Sequence, residues 1–199
     1  MAISQKNASL TEAVGLEKAR IVAADAAGVA PALHRNVIVN GDFSKVGPDN
    51  LPLGWKPKGA NYQKEAVPWQ DDALIVTEGS EKFLRFRRVT SVRLANLAPA
   101  APILVPERAK AAVVSVRLRV EGLVPGTSYD RFPGVAIRAL DATGSSPGPV
   151  STSATENTRW RNFTARLNLQ PGAKTLEVAL GPWAAAAICD FDDVELRFE

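Results

Sequence analysis

An all-β, antiparallel sandwich, preceded by a linker or helical appendage, is the fold this sequence predicts. Three observations carry that expectation: runs that alternate apolar and polar residues at strand period, Pro/Gly turn signals between them, and no helical pattern interleaved with the runs. The chain has 199 residues, enough for one domain to bury an adequate core without staples. Hydrophobic residues make up 46% and charged residues 23%, the balance of an ordinary globular protein. The formal charge of +3 and pI of about 9.2 come without Lys/Arg blocks, so no nucleic-acid partner is expected. No apolar stretch approaches the ~20 residues a helix needs to cross a bilayer, and no membrane partner is expected.

Between Ser9 and Ala27, the residues Leu10, Ala13, Leu16 and Ile21 recur at roughly helical spacing, with Ser9 or Thr11 as N-cap, until Gly28 and Pro31 end the pattern. Residues 1–34 are therefore expected to be a linker or helical appendage, and residues 35–199 the sandwich. Asn36–Phe43 reads as a short apolar strand running into Asn40-Gly41, a dipeptide that favours a turn because both residues tolerate positive φ. Weaker strand signals follow at Ala73–Thr77, Phe83–Arg88 and Ser91–Leu97. Val113–Val120 alternates cleanly, with Val114, Val116, Leu118 and Val120 on one face and Ser115, Arg117 and Arg119 on the other. Val135, Ile137 and Ala139 form another core row; so do Phe163, Ala165, Leu167 and Leu169, and Leu176, Val178 and Leu180. Val124-Pro-Gly126, Asp141-Ala-Thr-Gly144, Ser146-Pro-Gly148 and Pro171-Gly172 are the turns between them, and Asp141–Thr155 is expected to be an exposed loop. Cys189, the sole cysteine, lies in an apolar strand pattern and is expected to be a buried structural thiol.

Several short motifs recur in a telling order: Asn36-Val-Ile-Val-Asn-Gly-Asp-Phe43, Pro52-Leu-Gly-Trp55, Thr158-Arg-Trp160 with Phe163, Pro171-Gly-Ala-Lys174, and Ala187-Ile-Cys-Asp-Phe-Asp-Asp-Val-Glu-Leu196. Together, across Arg35 to Phe198, they resemble the carbohydrate-binding modules of the family 4/9 type. The resemblance implies a jelly roll of the galactose-binding-like superfamily, as appended to secreted bacterial glycoside hydrolases. It also implies a structural Ca²⁺ held near Asp42 to Ser44 and by Asp192, although the family usually has Glu where this chain has Ser44. Calcium needs about 6 to 8 oxygen ligands, so the serine removes both a ligand and a charge. Trp55 and Trp160 match positions that serve the core in those modules.

Catalytic constellations are scarce. His34, the only histidine, precedes the predicted sandwich, so neither a Ser-His-Asp set nor a histidine zinc site is expected. No Gly-rich phosphate loop follows a strand and opens a helix. A glycosidase needs two carboxylates flanking the scissile bond, and nothing selects a pair among Glu65, Asp71, Asp72, Glu78 and Glu81.

Sugar recognition uses aromatic rings against the apolar face of a pyranose and polar groups against its hydroxyls. Trp69, in Val67-Pro-Trp-Gln-Asp-Asp72, and Trp183, in Leu180-Gly-Pro-Trp-Ala184, lie in turn-like segments and are ligand candidates. Tyr129, Arg131 and Phe132, after the Val-Pro-Gly turn, match loosely a position near the binding groove of the resembling modules; Phe132 could equally serve the core. Arg117, Arg119, Arg138 and Arg166 all face away from their core rows. If their strands share one sheet, they form a guanidinium-rich surface suited to an acidic glycan; the alternative is a solvated face balanced by Glu121 and Glu177.

The resulting expectation is a module that binds a polysaccharide or oligosaccharide without catalysis and keeps an attached glycoside hydrolase near its substrate. Met1-Ala-Ile-Ser-Gln-Lys-Asn carries no signal-peptide pattern, so secretion is expected only as part of a larger protein. Two alternatives stay open: a structural domain packed on a catalytic partner, and a polysaccharide hydrolase or lyase with an unusual loop site.

Overall fold

The computed structural model describes residues 33–47, 50–58, 73–88, 95–126 and 132–199. The expected appendage lies outside the described residues except for Leu33 and His34, and so do Trp69, Tyr129 and Arg131. Among the described residues the chain is all β, with no helix. In chain order the strands are β1 (Trp55–Lys58), β2 (Ala73–Glu78), β3 (Glu81–Arg88), β4 (Ala95–Pro99), β5 (Ile103–Leu104) and β6 (Ala111–Val124). They continue with β7 (Gly134–Leu140), β8 (Val150–Ser153), β9 (Thr158–Asn168), β10 (Thr175–Trp183) and β11 (Ala186–Phe198).

Two antiparallel sheets form a jelly-roll sandwich. One has the order β1-β4-β10-β7-β8, with β5 pairing the start of β10; the other has the order β2-β3-β11-β6-β9. The alternation predicts the inward rows correctly: Val114, Val116, Leu118 and Val120 of β6 meet Val135 and Ile137 of β7 and Leu176, Val178 and Leu180 of β10 in one core. β11 adds Phe191, Leu196 and Phe198, all buried, and burying each such side chain contributes roughly 1.5–3 kcal/mol. Cys189 is fully buried in the same layer, and that burial pushes its thiol well above the usual range.

The Asn-Gly motif is where sequence expectation and structure part. Residues 36–43 form no ladder strand, touching β11 through two backbone bonds, Val37 N–H to the Leu196 carbonyl and Val194 N–H to the Gly41 carbonyl, each 2.9 Å. Asn40, at φ 55°, turns the chain, and its side chain holds the turn shut: Nδ2 donates to the Lys45 and Leu53 carbonyls at 2.8 and 3.0 Å, while Oδ1 accepts from Lys45 N–H at 2.9 Å. Gly41 is required by close approach, because a Cβ there would lie 2.0 Å from the Val194 carbonyl oxygen. Phe43 and Trp55 pack at 5.4 Å beneath this turn, and Trp55 Nε1 donates to the Asn40 carbonyl at 3.2 Å, which confirms Trp55 as a core residue. Side-chain bonds took over the backbone groups that a strand would have paired.

Asp141–Thr155 also differs from expectation, since it contains β8. That edge strand, Val-Ser-Thr-Ser, has a single apolar residue and so no period to detect; pairing with β7 creates it. The turn before it is closed by Asp141 Oδ1, which accepts from Thr143 N–H at 2.8 Å, Thr143 Oγ1 at 2.6 Å and Ser145 N–H at 2.9 Å. Those bonds, led by the Thr143 hydroxyl, hold the Asp141 carboxyl below its ordinary value.

Candidate functional site

The outward face of the six-stranded sheet carries a depression of about 260 Å³. Its floor follows from strand register. Outward-facing Ala136 pairs with Ala179, and Gly134 with Gly181, so small residues line the seam between β7 and β10. Larger side chains bound this trough. Trp183 ends β10 with φ 51°, and Phe132 lies two residues before Gly134, so both aromatic side chains stand at the same end of the seam. At the other end Glu177 of β10 pairs in register with Arg138 of β7.

Charge at that end is shared unevenly. Glu177 Oε2 accepts from Arg138 Nε at 2.5 Å and from Lys58 Nζ at 2.6 Å, Lys58 reaching across β4 from the edge strand β1. Desolvation by partial burial works to raise the Glu177 pKa, but the hydrogen bonds from Arg138 and Lys58 outweigh it and hold the carboxyl below its usual value. Glu177 therefore stays ionised at neutral pH. Asn96 of β4 also lines the depression; it is only 8% exposed, and its Oδ1 has no hydrogen-bond partner among the described residues. An unsatisfied buried acceptor costs about 1–3 kcal/mol, which a ligand hydroxyl would recover.

The opposite face, on the five-stranded sheet, uses similar residues differently. Asp190, 1% exposed, accepts from Arg85 Nε at 2.7 Å and Nη2 at 3.0 Å, and from Arg119 Nε at 2.7 Å. Arg119 spends both terminal nitrogens on Glu78, and Arg117 pairs with Asp192 and, at 3.4 Å, with Glu81. Trp160 lies on this outer face rather than in the core, edge-on to Phe83 at 5.4 Å and beneath the Arg117 and Arg119 guanidinium groups at 4.7 and 4.9 Å. Phe83 is fully buried without joining the central core, because these arginines and Trp160 cover it.

This arrangement corrects the expected single arginine surface. Arg117, Arg119 and Arg166 belong to the five-stranded sheet and Arg138 to the other, because β6 and β7 are consecutive in the chain yet lie in different layers. Arg166 bonds Glu199 Oε2 at 3.0 Å. Arg117 and Arg119 are neutralised by protein carboxylates, whereas Arg138, Phe132 and Trp183 come together at the depression. Sequence reasoning missed Asn96 and Lys58, and named Glu177 only as a balancing charge. The one signal for Asn96 was a polar residue between Ala95 and Leu97 in an otherwise apolar strand.

The expected calcium ligands do not gather. Asp42 Oδ1 accepts from Ser44 N–H at 3.3 Å and Ser44 Oγ at 3.1 Å, and the Ser44 carbonyl accepts from the Lys82 ammonium at 3.3 Å. Asp192 is held by Arg117 and by Asp193 N–H at 2.8 Å. Lys82 and Arg117 occupy two of the oxygens that a hard dication would need, and no group of three acidic, His or Cys ligands forms among the described residues. This donor set does not fit Ca²⁺.

Many solved structures share the architecture, among them two that align over more than four-fifths of this chain. One, described as CBM4, aligns at TM-score 0.52 and 14% identity over 81% of this chain and 99% of its own. The fold is a β-sandwich jelly roll that this carbohydrate-binding module also has. The second is the enzymatically active domain of bacteriophage CBA120 tailspike protein 4, at TM-score 0.55 and 13% identity; the match covers 85% of this chain but spans only 22% of the tailspike chain. At such identities the likeness is one of fold. No protein-family model matches the sequence, and no curated protein sequence does.

Proposed function

We propose that this protein is a non-catalytic carbohydrate-binding module, of the kind typified by families 4 and 9, that binds a glycan in the depression on its six-stranded sheet. The observation that carries the reading is the trough itself: small residues along the β7–β10 seam, Trp183 and Phe132 at one end, and the unpartnered Asn96 oxygen in its wall. An aromatic face suits the apolar side of a sugar, and a buried acceptor suits its hydroxyls. Among the described residues the depression holds one carboxylate, Glu177, kept ionised between two cations. That supports binding over glycoside hydrolysis, which uses a second carboxylate with a raised pKa. The physiological role proposed is to hold an attached or partner glycoside hydrolase on polysaccharide, outside the cell, within a larger protein.

Affinity electrophoresis and tryptophan fluorescence against xylan, mixed-linkage glucan, mannan, galactan and polyuronates test this directly. A saturable response is expected with at least one polymer, weakened about tenfold or more by Trp183→Ala, a loss of ~1.4 kcal/mol that suits a stacking residue. Trp69→Ala and Tyr129→Ala in the same titration test whether those sequence candidates contribute, with Arg131→Ala beside them. No retardation and no fluorescence change with any polymer, from a folded protein, would overturn the binding reading in favour of a structural domain.

A further inference from the structure

On the binding reading above, we propose that the glycan is acidic and that Arg138 receives its carboxylate. Lys58 and Arg138 converge on one oxygen of one carboxylate, at 2.6 and 2.5 Å, so this end of the depression keeps one positive charge in excess. Arg138 spends only Nε on Glu177; its Nη1 and Nη2 have no partner among the described residues, and the side chain is 45% exposed. Two parallel N–H donors at the end of a guanidinium are the geometry that grips a carboxylate through both oxygens. On the opposite face the same forks are filled by the protein: Arg119 by Asp190 and Glu78, Arg85 by Asp190 and Glu78. Arg138 is thus an arginine held in place by one carboxylate and left one carboxylate short.

Its surroundings set the scale of the ligand. Glu177 and the Gly181 position beside Asn96 are four residues apart along β10, roughly 13 Å. The Arg138 fork and the Asn96 oxygen line the same depression, so one ligand can meet both. The ligand class that fits is an oligosaccharide with a uronic acid and a free hydroxyl, its remaining ring packed towards Trp183 and Phe132.

Calorimetric titration of the full chain with matched pairs tests this: galactan and galacturonan fragments, mannan and mannuronan fragments, and a soluble glucan beside its C6-carboxylated derivative. In at least one pair the carboxylated member is expected to bind about tenfold or more tighter, with a preference that shrinks as salt rises. Arg138→Gln should erase the preference, the carboxylated member losing about tenfold more affinity than its neutral counterpart. Arg138→Lys keeps the charge without the fork and should retain only part of the preference; it becomes the deciding variant if the glutamine substitution prevents folding. Tighter binding of the neutral members, or a preference untouched in both variants, overturns the proposal and leaves the binding reading standing. Failure of every member of every pair to bind overturns both.

Discussion

The two outer sheet faces are built from similar side chains and differ in how their charges are balanced, each holding one buried polar atom without a hydrogen bond among the described residues, Arg117 Nε on one and Asn96 Oδ1 on the other. On the five-stranded face, Asp190 and Asp192 are nearly inaccessible, and the arginines over Phe83 and Trp160 find protein carboxylates. On the six-stranded face, two cations share Glu177 and the Asn96 oxygen has no partner. Removing charges from water is costly, and a closed network recovers that cost internally, whereas an open one recovers it only from a ligand. The ratio of cations to carboxylates separates the two faces: Arg85, Arg117 and Arg119 each meet at least two carboxylates, whereas Lys58 and Arg138 share one.

The largest break in this comparison should come from Asp190→Ala, which strands Arg85 and Arg119 together. A loss of about 3 kcal/mol in urea unfolding is expected, the figure for a broken buried pair reduced because both arginines are partly exposed. Glycan affinity should stay within about twofold, since the depression lies on the other sheet; a large affinity loss in a folded Asp190 variant would erase the distinction between the faces. Asn96→Ala should do the reverse. Removing an unsatisfied buried oxygen is expected to raise stability by about 1 kcal/mol, some 2–4 °C in Tm, while weakening glycan binding. A drop in stability would mean that Asn96 supports the fold.

Acid titration sharpens the contrast further, because Glu177 and Asp192 carry shifts of opposite sign. Glu177 has a folded-state pKa below the ordinary 4.5, so its stabilisation is complete above 4.5 and is lost as pH falls through the lower folded value. Burial raises Asp192 above the ordinary 3.8, outweighing the Arg117 bond, so its contribution is full below 3.8 and fades as pH rises through the raised value. Melting curves between about pH 3 and 6 should therefore flatten at their acid end in Glu177→Gln, and Asp192→Asn should lack the decline on the rising side. Parallel curves for wild type and both variants would contradict the assignment. The smallest effect concerns metal: EGTA is expected to leave the Tm within about 1 °C, because Ser44 already bonds Asp42, Lys82 the Ser44 carbonyl and Arg117 the Asp192 carboxylate. A fall of several degrees would restore calcium.

Much of this architecture was legible in the chain because strand alternation is a local property. Val114 through Val120, Val135 through Ala139 and Leu176 through Leu180 announced their inward rows, and the structure buries them. Gly41 and Trp55 were legible too, through the turn and packing they require. Elements without a period escaped: β8 has one apolar residue, and the Asn36–Phe43 segment has a strand's composition but a turn's hydrogen bonds. Of the candidate site, Trp183, Phe132 and Arg138 were named from sequence, while Lys58 and Asn96 became visible only when β1 and β4 were seen beside β10. The sequence by itself determined which residues of each strand turn inward and which turn out, since that follows from a two-residue repeat. Tertiary structure alone decided which outward faces share a sheet, parting Arg138 from Arg117 and Arg119 and leaving Asn96 unpaired, because ladder hydrogen bonds join strands that are far apart in the chain and no local pattern records their partners.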